Sequence, residues 1–297
     1  MTNNYLRLNL ANPGENLPGN INFSISKFPD GQQTVDIVST PFSITSSLAP
    51  HFLPGEPDKV LIVTRLKDFR DLELVIAANK ALRNLGVKEV ALYSPWFIGA
   101  RSDRKFKEGG VNYLKDVITP VINSQGFNYV KVLDPHSDVL EACLENFKKV
   151  NNFELFDFAK QEIGSEMVLV SPDGGALKKI YDVAEHFQLP NIVTAIKHRD
   201  IATGKITHTE VPLSESRYYK DCKFVIVDDI CDGGRTFIEL AKEIIVKVPD
   251  AKIYLVVTHG IFSAGTKELR KYIEKIYTTN SFSDHEEEDF IRELKVL

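Results

Sequence analysis

Short apolar runs recur along the chain, spaced so that a helix fits between successive runs. Val60-Leu-Ile-Val63, Glu89-Val-Ala-Leu-Tyr93 and Tyr129-Val-Lys-Val-Leu133 form one series. Met167-Val-Leu-Val170, Phe224-Val-Ile-Val227 and Ile253-Tyr-Leu-Val-Val257 form a second. Brief runs that are apolar without strict alternation suit strands buried on both faces. Between them, residues 72–85 space Leu72, Leu74, Ile76, Leu82 and Leu85 among alanines and charges, a helical pattern. Residues 112–123, 176–186 and 236–246 read the same way. Strand-helix alternation predicts an α/β fold of parallel sheets with helices on both faces. Because the alternation occurs twice, two domains are expected, 1–149 and 150–297, with the polar stretch Lys148-Lys-Val-Asn-Asn152 at the boundary. Ahead of the first series, residues 22–28 and 33–38 flank Pro29-Asp-Gly-Gln32, a hairpin with turn chemistry at its tip.

Composition narrows the function classes. The chain has 297 residues, 43% hydrophobic and 26% charged, as in ordinary globular proteins. Its net charge is −5 and no basic run stands out, so nucleic acid is not an expected partner. No apolar run approaches the ~18 residues of a membrane span, and the amino terminus lacks a leader pattern. Cys143, Cys222 and Cys231 show neither paired nor metal-type spacing, which fits a reducing compartment. The default expectation is a cytoplasmic enzyme or binding protein. The acidic run Asp284-His-Glu-Glu-Glu-Asp289 is expected to start a helix, where carboxylates favour the dipole.

In parallel sheets, ligands bind beyond the carboxyl ends of the strands. After Val227 come Asp228 and Asp229, then Asp232-Gly-Gly-Arg-Thr236 and a helix pattern. Glycines let backbone N–H groups approach an anion, and the helix start adds positive potential. Thr236 is placed to cap the helix or to bind a phosphate oxygen. Adjacent carboxylates would repel a phosphate but suit sugar hydroxyls or a cation. A phosphorylated ribose satisfies both halves of the pattern. An acidic strand-turn-helix without a ligand would leave both the carboxylate pair and the glycine pair unexplained.

This stretch resembles the phosphoribosyl diphosphate motif of phosphoribosyltransferases and ribose-phosphate diphosphokinases. Further segments resemble the diphosphokinases: Phe28-Pro-Asp-Gly-Gln32 (an adenine loop), Gly99-Ala-Arg-Ser-Asp-Arg-Lys105 (nucleotide binding), Leu133-Asp-Pro-His136, Ser171-Pro-Asp-Gly-Gly-Ala176, Lys197-His-Arg199 (a catalytic flexible loop) and Thr258-His-Gly-Ile-Phe262. Any one alone is weak; together, in the family's order from about residue 23 to 282, they are specific. Taken alone, Arg101 and Arg104 also fit a surface ion-pair cluster, His136 a structural hydrogen-bonding residue, and Lys197 with Arg199 a solvated basic hairpin.

The resemblance implies two phosphoribosyltransferase-like domains, with Mg2+ as cofactor and ATP as co-substrate. Phe28, Asp30, Gln32, Arg101, Ser102, Asp103 and His136 would bind ATP, the first three across a subunit interface of a homo-oligomer, dimer or hexamer. His136 and Asp173 would hold magnesium. Lys197 and Arg199 would be catalytic. Asp228, Asp229, Asp232, Gly233, Gly234, Arg235 and Thr236 would bind ribose phosphate, the carboxylates contacting its hydroxyls or a second magnesium. The reaction would carry the diphosphate of ATP to the anomeric hydroxyl of ribose 5-phosphate.

Several positions depart from the family. Gln32, Ser102, Ala176 and Lys179 replace Glu, Gln, Gly and Arg. The stretch Ala11-Asn-Pro-Gly-Glu-Asn-Leu-Pro-Gly-Asn20 replaces an early helix. In the phosphate loop, Asp-Thr-x-Gly-Thr becomes Asp232-Gly-Gly-Arg-Thr236. A lost hydroxyl and a gained guanidinium suit a larger 5-substituent, so ADP-ribose is an alternative acceptor, as in nicotinamide-nucleotide salvage. A catalytically silent regulatory homologue would be expected to lack Lys197, Arg199, His136 or Asp173, and all are present. A phosphoribosyltransferase would not need the Arg101 and His136 segments.

Overall fold

The structure is a computed structural model, and it describes residues 5–13, 20–39, 59–199, 206–213, 219, 222–286 and 289–297. The chain divides into two compact units, residues 1–150 with Leu297 and residues 151–296.

In the first unit, β1 (Leu6–Asn9), the hairpin β2 (Asn22–Lys27) and β3 (Gln33–Ser39), β4 (Lys59–Val63), α1 (Phe69–Asn84) and β5 (Glu89–Ser94) come first. A π-helical segment Leu114–Ile118 then runs into α2 (Thr119–Asn123), followed by β6 (Val130–Leu133), α3 (Val139–Cys143) and β7 (Phe147–Val150). Among the described residues, β1-β4-β5-β6-β7 form one parallel sheet in that order. Asp68 starts α1 with a capping box, its carboxylate accepting from the amides of Arg70 and Asp71. Leu72, Val75, Ala78 and Leu82 form the face of α1 buried against Val60, Ile62, Val90 and Leu92. The expected helix over 112–123 is π-helical in its first half. Pro120 lacks the N–H that would bond the carbonyl of Asp116, so the α ladder is broken there.

The second unit contains α4 (Phe153–Ile163), β8 (Met167–Ser171), α5 (Leu177–Phe187), β9 (Ile192–Thr194), the antiparallel pair β10 (Ile196–Arg199) and β11 (Ile206–Glu210), and β12 (Lys223–Cys231). After these come α6 (Arg235–Lys247), β13 (Lys252–Gly260), a 3₁₀ turn Leu269–Lys271, β14 (Lys275–Thr279) and β15 (Ile291–Leu294). Among the described residues its main sheet runs β15-β14-β13-β12-β8-β9, all parallel. Strand alternation sorts the two faces. Val225 and Val227 pack with Leu155, Phe156, Ile180 and Val183 of α4 and α5. Phe224 and Ile226 pack with Phe237, Leu240 and Ile244 of α6. The chain winds from β8 outward to β9, then returns to lay β12 on the other side of β8. The carboxyl ends of β8 and β12 therefore flank the point where strand order reverses, the usual ligand crevice of such sheets.

The polar stretch 148–152 spans the division between the two units: its first part lies in edge strand β7, and Asn152 precedes α4. Two expectations need correction. The described residues of the acidic run, 284–286 and 289, do not start a helix. Asp284 accepts from Asn280 and Lys295, Asp289 is held by the Arg270 guanidinium at 2.8 and 3.1 Å, and β15 follows. Both carboxylates have cations nearby, so no helix dipole is needed to place them. Finally, β12 does not stop at Val227 but runs on to Cys231, which puts Asp228 and Asp229 inside the strand. The proline-rich stretch 11–20 lies largely outside the described residues.

Ile226 is fully buried in the central strand. Ile226→Ala is expected to cost about 2–5 kcal/mol, measured as a lower urea midpoint at unchanged slope.

Candidate active site

The described residues of β12 beyond Val227 carry the acidic pair. The Asp229 amide donates to Asp228 Oδ1 at 2.8 Å. Asp229 continues the Val225–Val227 face toward α5 and is buried, whereas Asp228 is half-buried. Lys179, in the first turn of α5, places its Nζ 3.3 Å from Asp229 Oδ2. Burial first, then the neighbouring Asp229 charge, push the Asp228 carboxyl well above its ordinary range. The adjacent Cys231 thiol is pushed up to about 12 by burial and then by Asp228 and Asp232, so it stays protonated and is no nucleophile.

Past the strand the chain turns through Asp232, Gly233 and Gly234 into α6. Gly234 has φ +76°, and a Cβ there would come 3.1 Å from Leu269. This position needs glycine both for its left-handed backbone and for the packing. Gly234 is the N-cap of α6 and no side chain caps the helix, so Thr236 does not play that role. Asp232 is fixed by a residue that the motif reading missed: the Ser263 hydroxyl donates to Asp232 Oδ1 at 2.6 Å, and the Ser263 amide to the Asp232 carbonyl at 3.1 Å. Ser263 follows directly after the Thr258–Phe262 segment, and that adjacency was the only signal available. Arg235, the first residue of α6, is exposed and makes no hydrogen bond or ion pair among the described residues.

Across the reversal point, the turn after β8 presents Asp173. Its Oδ1 accepts from the amides of Gly175 (2.9 Å) and Ala176 (3.2 Å), and its Oδ2 from Lys197 Nζ (2.6 Å). The Ser171 hydroxyl holds the Asp173 carbonyl at 2.8 Å. Burial raises the Asp173 carboxyl, but Lys197 and the two amides outweigh it and hold the group below its usual range. An expected catalytic lysine and an expected magnesium ligand are thus bonded to each other. Lys197 lies on β10 opposite Thr209 of β11, and Arg199 lies on the same strand opposite Ile206, past a bulge. Residues 200–205, the tip of the expected flexible loop, are outside the described residues.

The remaining site residues belong to the first unit. The Phe28–Gln32 turn is closed by the Phe28 amide donating to the Gln32 carbonyl (2.8 Å) and the Gly31 amide to the Phe28 carbonyl (2.9 Å). Asp30 Oδ1 accepts from the Gln32 amide at 3.2 Å, and the Phe28 ring is exposed. The loop after β5 opens at Gly99, φ +77°, where a Cβ would come 2.9 Å from the Tyr113 ring. It holds Arg101, exposed, with Ser102 and Asp103 half-buried. The Ser102 carbonyl accepts from the Leu114 amide (3.1 Å), and the Asp103 carbonyl from Asn112 Nδ2 (2.7 Å). After β6, Asp134 is buried at φ +38°, a strained value for a non-glycine residue, and His136 follows it exposed. Within each unit, the expected residues therefore collect at strand ends or on the hairpin tip. His136 and Asp173 lie in different units.

Magnesium takes few protein ligands, all hard oxygen donors, and completes its shell with water and phosphate. The Asp228–Asp229 pair fits that demand, because an added cation would relieve the repulsion that raises Asp228. Asp173 fits it less well, with three of its lone-pair sites engaged by Lys197 and the two amides. Among the described residues, no group of three or more His, Cys, Asp or Glu side chains gathers into a protein-only metal site. No described helix is long and apolar enough to cross a membrane.

A carboxyl raised in the folded state favours the protonated form there, so its burden on stability grows as pH rises from the unfolded value through the folded one. Asp228→Asn is therefore expected to raise the melting temperature at pH 7–8, with the gain shrinking as pH falls and lost below about pH 3, where the unfolded carboxyl is protonated as well.

Residues 145–290 match the phosphoribosyl transferase domain family. The ribose-phosphate pyrophosphokinase of Pyrococcus furiosus is 26% identical over 268 residues, covering 88% of this chain and 86% of that protein. The enzyme of the same name from Saccharolobus solfataricus is 26% identical over 245 residues, covering 81% and 77%. The crystal structure of phosphoribosylpyrophosphate synthetase from Mycobacterium smegmatis superposes with a TM-score of 0.73 over 93% of this chain and 87% of that one. At 15% identity, that likeness concerns the fold. The second unit thus matches the phosphoribosyl transferase domain family, and over most of its length the chain is similar, at 26% identity, to ribose-phosphate pyrophosphokinases.

Proposed function

We propose that the protein transfers the β,γ-diphosphate of Mg-ATP to the anomeric hydroxyl of ribose 5-phosphate, releasing AMP and phosphoribosyl diphosphate. The observation that carries this reading is the reversal point of the second sheet. There a carboxylate pair suited to sugar hydroxyls, a glycine-opened helix start suited to a phosphate, and a lysine pinned at 2.6 Å to Asp173 lie on neighbouring strand ends or turns. Relatives carrying the pyrophosphokinase name support it over most of the chain.

In this reading Asp228, Asp229 and Asp232 orient the ribose, and the Gly233–Thr236 backbone receives its 5-phosphate. Lys197 and Arg199 supply positive charge to the diphosphate in flight, so catalysis is chiefly positioning and neutralisation. Phe28, Asp30 and Gln32 take the adenine, and Arg101, Ser102, Asp103 and His136 the phosphates. The bound cation would be held by Asp228 and Asp229, with Asp173 and His136 as further candidates. Its chemistry is to neutralise phosphate oxygens as charge develops. The oligomer, a dimer or hexamer, would complete the adenine site. Residence in the cytoplasm fits the absence of paired cysteines.

One observation favours a second acceptor. The exposed Arg235 guanidinium at the start of α6 lacks a partner among the described residues. A second phosphate on the 5-substituent, as in ADP-ribose, would give it one.

Incubation with Mg-ATP and either acceptor, followed as AMP release, tests both readings. Release with ribose 5-phosphate is expected. Silence with both acceptors would overturn the transferase reading, and release with ADP-ribose alone would replace the acceptor. Lys197→Ala is expected to lower kcat by about 10²–10³-fold, the scale of losing one donor to a transition-state anion. Arg235→Ala should impair use of ADP-ribose far more than use of ribose 5-phosphate; equal effects would remove Arg235 from the argument.

A further inference from the structure

Lys179 occupies a position that helix energetics disfavour. It lies in the first turn of α5, where the macrodipole is positive and a cation is repelled. It is also largely out of water, its side chain 17% exposed and its Nζ buried. Burying an ammonium at a helix start costs free energy unless an anion is close. The anion is Asp229, whose side chain is 7% exposed and whose Oδ2 lies 3.3 Å away. Residues that break a local rule on both counts mark function more often than stability.

The fold explains how the two meet. Asp229 shares the strand face of Val225 and Val227, and that face is covered by α5 through Ile180, Val183 and Ala184. One residue before Ile180, Lys179 reaches the same face at the carboxyl end of β12. Asp228 projects to the other face and is half-buried. The two carboxylates of the pair are therefore held differently. Asp229 faces a lysine, while Asp228 Oδ1 accepts from the Asp229 amide.

We propose that Lys179 is a positioning residue for the acceptor site: its ammonium fixes the Asp229 carboxylate beside Asp228, so that the pair meets the acceptor's hydroxyls in one arrangement. The inference rests on the ribose reading of the site. Lys179 does not touch the acceptor; it acts through Asp229. Without the ammonium, two adjacent carboxylates would repel each other, and Asp229 would lose its orientation. The ATP segments belong to the other unit, so the effect should fall on one substrate.

The test uses the full chain with Mg-ATP and whichever acceptor the wild type accepts, together with calorimetric binding of that acceptor and magnesium in the absence of ATP. Lys179→Met is expected to raise both the acceptor KM and its dissociation constant about tenfold, the scale of one lost charged contact, with the ATP KM changed less than about twofold. Lys179→Arg, which restores the charge, should return both constants to within about threefold of wild type. Adding Lys179→Met to Asp229→Asn should do no further harm, because the lysine acts only through that carboxylate. Should Lys179→Met fail to fold, Lys179→Gln carries the same expectations. An unchanged acceptor KM, equal rises for acceptor and ATP, failure of the arginine rescue, or multiplying effects in the double variant would each overturn the proposal. A wild type that releases no AMP with either acceptor would instead overturn the ribose reading itself.

Discussion

A parallel strand covered on both faces has no side to give to water, and this governs where chemistry can stand in the second unit. From Phe224 to Val227 every β12 side chain is buried, under α6 on one face and under α4 and α5 on the other. Polar groups are confined to the end of the strand, beyond its helix cover. The same holds for β8, whose five residues are all buried before the turn presents Asp173. Since β8 and β12 are neighbours but not consecutive, their ends open onto one crevice. The sheet order sets the place of the site, and the loops set its content.

That constraint explains which features the sequence could reveal. Core strands were legible because full burial demands unbroken apolar runs, and β4, β5, β8 and β13 lie within one to three residues of where those runs fall. Helices α1, α5 and α6 were legible from their apolar faces. Strand ends were not: hydropathy falls at Asp228, but the hydrogen-bond ladder to β13 continues to Cys231 against Gly260. The edge strands β7 and β15 carry lysines, arginine and glutamate and look like loops. Site residues in compact motifs could be read, whereas Ser263 on Asp232 and Lys179 on Asp229 are contacts across 31 and 50 positions, and spacing carries no trace of them.

Charge in the second unit is largely balanced within the protein. Lys197 sits on Asp173 and Lys179 on Asp229, each pair partly withdrawn from water. Asp228 differs, because burial and its neighbour's charge both raise its carboxyl. It is the point where an entering cation or hydroxyl gains most, since the repulsion already exists in the fold. Lys197 is placed oppositely: to serve a transferred diphosphate it must leave a 2.6 Å contact whose loss leaves Asp173 with its two backbone donors. Those amides make the exchange feasible, because the carboxylate is never left without hydrogen bonds.

The phosphate loop shows what fixes the substrate and what leaves it open. Gly234 is constrained by its positive φ and by Leu269, so the turn into α6 has one shape, and the uncapped helix start suits an anion whatever lies beyond it. Asp232 is likewise fixed by Ser263. Arg235 is free of such constraint: exposed, at the lip of the same turn, on the outer side of α6. In the proposed reading the backbone geometry would select for a phosphate, and the side chain at its edge for what the phosphate is attached to. A single residue would then change the acceptor while the transfer chemistry, proposed on β8, β10 and β12, stays as it is.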